Sequence, residues 1–147
     1  MKGGAWASLF RIAVGCFWLY FASQKWTGVG WMRPLIERAP SVNPIPGLHE
    51  LLAVFVAPNW FIFAVLQTAG ETVVAALLIL GLFTRAASLV GLLLALNLAL
   101  VVAFLNPDVG SRWLYYLAVL VNAQVLFGGA GQLALDRRIG RWRWLSS

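Results

Sequence analysis

Apolar residues run along this chain in four long stretches separated by short polar segments. The stretches fall at about 5–25, 59–83, 86–105 and 112–134, close to the roughly 20 residues a helix needs to cross a hydrocarbon core about 30 Å thick. Few polar residues interrupt them: Arg11 in the first, Gln67 and Glu71 in the second, Ser88 and Asn97 in the third, and Asn122, Gln124 and Gln132 in the fourth. In lipid every backbone N–H and C=O must be satisfied inside the segment, which a helix achieves. The pattern predicts an all-α integral membrane four-helix bundle, a single domain over 1–147.

The longest polar break is an extramembrane loop between the first two spans. Pro40 to Pro46 is Pro-rich, and Pro46-Gly47 fits a turn. Leu48, Leu51, Leu52 and Phe55 then recur at helical spacing, so a short interfacial helix is expected over Leu48 to Val56 with His49 and Glu50 toward water. His49 has no second ligand at metal spacing.

Composition supports this reading. With 61% hydrophobic and 11% charged residues, the chain has too little polar surface to coat a soluble globule of its size. The net charge of +6 would suit nucleic acid only if Lys and Arg gathered on one soluble face, and here they sit at span ends. The lone Cys16 lies within the first span with no CxxC or Cys/His pair, which excludes intramolecular thiol exchange and a metal site. Tryptophans 6, 26, 31, 60, 113, 142 and 144 cluster near span ends, where an indole suits the headgroup layer. Lys2 before an apolar run resembles a signal peptide, but Arg11 and the bulky Trp18, Tyr20 and Phe21 predict a retained segment. Lys2, Arg85, Arg137, Arg138, Arg141 and Arg143 outnumber Lys25, Arg33, Arg38 and Arg112 on the opposite side, so both termini are expected in the cytoplasm.

In the third span Ala87, Gly91, Ala95, Ala99 and Ala103 recur every four residues. Such a stripe lets another helix approach closely, whether from this chain or another subunit. Asn97 and Asn122 are expected to make interhelical hydrogen bonds.

Ionisable groups inside a span cost several kcal/mol unless paired or hydrated, and so point to function. On the first helix Arg11, Gly15, Trp18, Ala22 and Lys25 fall within about 40° of one line at roughly 100° per residue. On the second, Glu71 lies about 18 Å from the outer edge, with Gln67 one turn earlier. Arg11 is expected to reach Glu71. Arg11, Lys25, Gln67 and Glu71 form the candidate intramembrane polar site. It serves either as an ion pair that fixes helix register, or as a pocket orienting a small acceptor such as a quinone, or as part of a transport path.

Three local patterns carry a family resemblance. Arg11-Ile-Ala-Val-Gly15 followed by Lys25, Ala69-Gly70-Glu71 leading through Leu77 to Ala87 with its Thr84-Arg85 turn, and Gly129 through Asp136 together resemble the DoxX family, which includes the DoxD-type small subunit of thiosulfate:quinone oxidoreductase. Ala22, Ala130 and Ala134 depart from that pattern. The resemblance implies a four-helix subunit of a quinone-linked redox complex in a prokaryotic inner membrane, with Arg85 and Asp136 as a cytoplasmic-end motif. Lacking a cysteine pair, an intraspan histidine or a nucleotide fingerprint, the chain would borrow any redox centre from a partner subunit, with quinone the one expected small ligand. A purely structural subunit, or an oligomeric transporter, are the alternatives. The expected contacts are lipid and other membrane subunits or copies of itself, and no nucleic acid.

Overall fold

The computed structural model describes residues 2–129 and 131–135. Among them the chain is all helical: α1 (Lys2–Ser23), α2 (Arg33–Val42), α3 (Leu48–Leu51), α4 (Trp60–Leu80), α5 (Thr84–Leu100) and α6 (Val109–Gly128), with no strand. Short 3-10 turns precede α2 and follow α5, and a π-helical turn, Leu52–Val56, continues α3.

Three segments, Gly4–Ser23, Trp60–Leu80 and Thr84–Leu105, are long and apolar enough to cross a membrane. At 20 residues α6 matches them in length. Its Arg112, Tyr115, Tyr116, Asn122 and Gln124 make it less apolar. α6 also ends earlier than the fourth predicted span, because the chain turns at Gly129, whose φ of +76° is left-handed. The third span begins earlier than expected, at Thr84, since Gly81 caps α4 in a left-handed conformation and Phe83 takes the same region, leaving a very short connection.

The long helices pack in chain order, α1 on α4, α4 on α5 and α5 on α6. Val14, Trp18, Val74, Leu78, Ala95 and Val125 form the centre of the core. The line drawn along α1 is the buried face: Arg11, Gly15, Trp18, Ala22 and Lys25 are all buried. So is the stripe of Ala87, Gly91, Ala95, Ala99 and Ala103. Ala87 and Ala95 belong to the core cluster, and Gly91 sits against Asn122, Trp18 and Val74. The stripe is spent within the chain.

α1 and α4 run antiparallel with an offset. Lys25 lies level with Glu71, while Gly15 lies against Ala75 and Ile79. The Trp60 end of α4 therefore projects beyond the last turn of α1, and α2 and α3 fill the space beside it. At the other end the first turns of α1 project past Leu80, where residues 131–135 fold onto them. Gln132 N donates to Gly4 O at 3.0 Å, and Leu133 N donates to Ser8 Oγ at 2.9 Å.

The first loop holds more structure than its prolines predict. Pro34 occupies the first turn of α2, where its missing N–H costs nothing. Pro40 lies near the C-terminal end, two residues before the helix stops. The Arg33 Nε to Glu37 Oε1 bond at 2.7 Å spans one turn, and the Arg33 guanidinium lies 5.6 Å from the Trp60 ring. Asn43 pins the loop: its Nδ2 donates to Leu100 O at 2.8 Å and its Oδ1 accepts from Ile45 N at 3.0 Å. The expected short helix exists, Leu48–Leu51 continued by the π-helical turn to Val56, with His49 and Glu50 exposed.

Two predictions follow from the packing and the capping. A Cβ on Gly15 would stand 3.0 Å from Ile79 N and 3.2 Å from Ala75 O, backbone atoms that cannot step aside. Gly15→Ala should lower stability by about 1–3 kcal/mol in denaturant titrations of the detergent-solubilised protein. Gly70→Ala, which meets only the flexible end of Leu94, should cost less. Asp108 caps α6 by accepting from Gly110 N and Ser111 N, and these backbone donors with the Ser111 hydroxyl hold its carboxyl below the ordinary value of 3.8. A depressed carboxyl stabilises above its unfolded value and loses that contribution as pH falls through its folded one. Asp108→Ala should lower the Tm at neutral pH, and the deficit should close as wild type is acidified below pH 3.8.

Candidate functional site

Gln67 and Glu71 lie one turn apart on α4, on the face shared with α1 and α5. Glu71 is fully buried and Lys25 is 7% exposed. Lys25 Nζ donates to Glu71 Oε2. Gln67 Nε2 donates to Glu71 Oε1 at 2.9 Å, and Asn97 Nδ2 on α5 donates to Gln67 Oε1 at 3.1 Å. The result is one hydrogen-bonded chain, Lys25 to Glu71 to Gln67 to Asn97, running from the turn after α1 through α4 to α5. Both carboxylate oxygens are engaged, as a charge in an apolar interior requires. Trp26 Nε1 reinforces the same level by donating to Thr72 Oγ1 at 3.1 Å.

Arg11 does not meet Glu71. Its Nη1 donates to Leu78 O and Ile79 O, and its Nη2 to Leu133 O at 3.4 Å, about 10 Å further along α4. The offset between the helices explains the difference, because it sets Lys25 rather than Arg11 level with Glu71. Arg11 instead satisfies carbonyls that the end of α4 leaves without helical partners. Gly81 makes room for this: a Cβ there would stand 2.7 Å from Arg11 Nη1.

Arg85 opens α5 beside the short turn, and its Nε is buried without a partner among the described residues. Asp136, its expected companion, lies outside the described residues, as do Arg137, Arg138, Arg141, Arg143, Trp142 and Trp144.

A second polar contact ties α1 to α6. Trp18 Nε1 donates to Asn122 Oδ1 at 3.0 Å, and Asn122 Nδ2 donates to Ala118 O at 2.7 Å. Both side chains are fully buried in the core, so this is a packing contact.

Beside Gln67 and Asn97 opens a cleft of about 530 Å³. Met32 and Ile36 of the loop, Leu52 of the π-helical turn, and Leu66 and Leu94 of the spans wall it. Among the described residues, Gln67 and Asn97 are the only polar side chains lining it. Asn97 makes the interhelical hydrogen bond expected of it, to Gln67, but nothing in its sequence context points to the cleft. The missed signal was Arg33-Pro34 with Glu37, an α-helical start inside what looked like a Pro-rich loop.

A bundle of apolar helices enclosing a charge pair, with an apolar cleft at its polar flank, defines a multi-pass membrane protein. The DoxX family model matches residues 6–104, well over half of the chain, and the chain belongs to the DoxX family. The match takes in Arg11, Lys25, Gln67, Glu71 and Arg85 and stops short of α6. No curated protein and no solved structure matches the chain.

If Trp18 and Asn122 are purely structural, their substitutions should be strongly coupled. Asn122→Leu leaves a buried indole N–H unpaired and should cost about 1–3 kcal/mol. In unfolding titrations, Trp18→Phe should then cost measurably less in the Asn122→Leu background than in wild type.

Proposed function

We propose that this chain is the membrane subunit of a quinone-linked redox complex in a prokaryotic inner membrane, and that a lipid-soluble quinone ring occupies the cleft between the loop helices and the α4–α5 pair. The observation that carries this reading is the cleft itself. Its volume suits a small ring, since ligand sites span roughly 300–1,000 Å³. Its wall is apolar apart from two amides, a lining that favours a flat apolar molecule with one or two polar atoms. The Lys25–Glu71 pair stands behind those amides and holds them in place, so the charge organises the site without facing the ligand. In this reading α6 crosses the membrane as a fourth span, both termini lie in the cytoplasm, and the cleft opens in the outer half of the bilayer. The electrons come from a centre on a partner subunit docked against the bundle.

The test is binding by the purified full chain in lipid nanodiscs, titrated with a short-tailed quinone and compared with empty discs. Saturable binding is expected, with Leu66→Trp, which fills the cleft, weakening it at least tenfold. Absence of saturable binding, or binding indifferent to Leu66→Trp, would overturn the reading and favour a structural subunit.

A further inference from the structure

The hydrogen bonds beside the cleft have a direction. An ionised carboxylate only accepts, so Gln67 turns its NH₂ group toward Glu71. That leaves Gln67 Oε1 facing α5, where Asn97 meets it with Nδ2. Asn97 is thereby held in one orientation. Its side chain is exposed at the cleft wall, and Nδ2 to Gln67 is its hydrogen bond among the described residues. That leaves Asn97, a residue of the cleft lining, with a carbonyl oxygen that accepts and a second N–H that donates.

We infer that Asn97 makes the cleft selective for a ring bearing a hydroxyl group, such as a hydroquinone or a phenol, over the carbonyl or ether form of the same molecule. This rests on the proposed occupancy of the cleft and names the form of the ligand it prefers. A hydroxyl donates to Asn97 Oδ1 and can accept from Nδ2. A carbonyl or an ether only accepts, which leaves Oδ1 facing an apolar wall without a donor. Side-chain hydrogen bonds at membrane depth correspond to about three- to twentyfold in affinity. Glu71 is the positioning residue in this arrangement, acting on the ligand only through Gln67 and Asn97. Replacing its carboxylate with an amide reverses the direction, because the Lys25 ammonium only donates and keeps the amide oxygen on its side, which turns the NH₂ group toward Gln67 and the Gln67 NH₂ toward Asn97 Oδ1.

The experiment compares two probes of nearly equal size, a 4-alkylphenol and its methyl ether, binding to the full chain in nanodiscs by isothermal titration with empty discs subtracted. The phenol should bind about tenfold more tightly. Asn97→Leu should bring the ratio close to one with the ether affinity retained, and Glu71→Gln should narrow it. Equal affinities in the wild type, or a ratio untouched by Asn97→Leu, would overturn the selectivity while leaving the cleft as a binding site. Failure of both probes to bind the folded wild type would overturn the occupancy of the cleft and the selectivity together.

Discussion

The pairing of Lys25 with Glu71 decides how far α1 slides along α4, and most of the remaining structure follows from that offset. A carboxylate and an ammonium among apolar helices are tolerated only when they meet and when their remaining hydrogen-bonding capacity is used. Lys25 sits just past the last turn of α1, so meeting Glu71 leaves the Trp60 end of α4 without a neighbour from α1. The loop helices occupy that space. The same slide leaves the first turns of α1 beyond the end of α4, and there the segment after α6 folds onto Gly4 and Ser8. Arg11 closes this second end by taking up the last carbonyls of α4.

The cleft is a consequence of that arrangement. Had the two helices been flush, α1 would have covered the upper part of α4 with the same close contact seen at Gly15. Instead the cover is a loop anchored at few points, by Asn43 on Leu100 and by Arg33 over Trp60, and its apolar side chains do not fill the gap completely. Gln67 marks the boundary between the tightly packed lower bundle and this looser upper layer. One of its amide atoms serves the charge pair and the other serves the cleft wall.

Much of this was legible in the sequence. Four apolar stretches specified the long helices, and the 100° periodicity of Arg11, Gly15, Trp18, Ala22 and Lys25 identified the buried face of α1 correctly. The stripe from Ala87 to Ala103 identified the close-packed face that runs along α5. Which cation meets Glu71 was not legible, because hydropathy gives the length of each span and says little about the slide of one against another. A slide of about 10 Å, the distance along α4 from Glu71 to the carbonyls that Arg11 meets, separates the two pairings. The helical loop was hidden by Pro40, which reads as a breaker although near a helix end it removes little. The cleft depends on both features, so no local pattern in the sequence could announce it.

The central claim is that Lys25 and Glu71 act as one unit that sets the register of the bundle. A double-mutant cycle with Lys25→Met, Glu71→Leu and the combined variant, read by reversible unfolding in detergent or bicelles, tests it most directly. Each single change strands a buried charge and should cost about 3–5 kcal/mol, whereas the combined variant should cost far less than their sum. Single changes that cost little, or costs that simply add, would contradict the account.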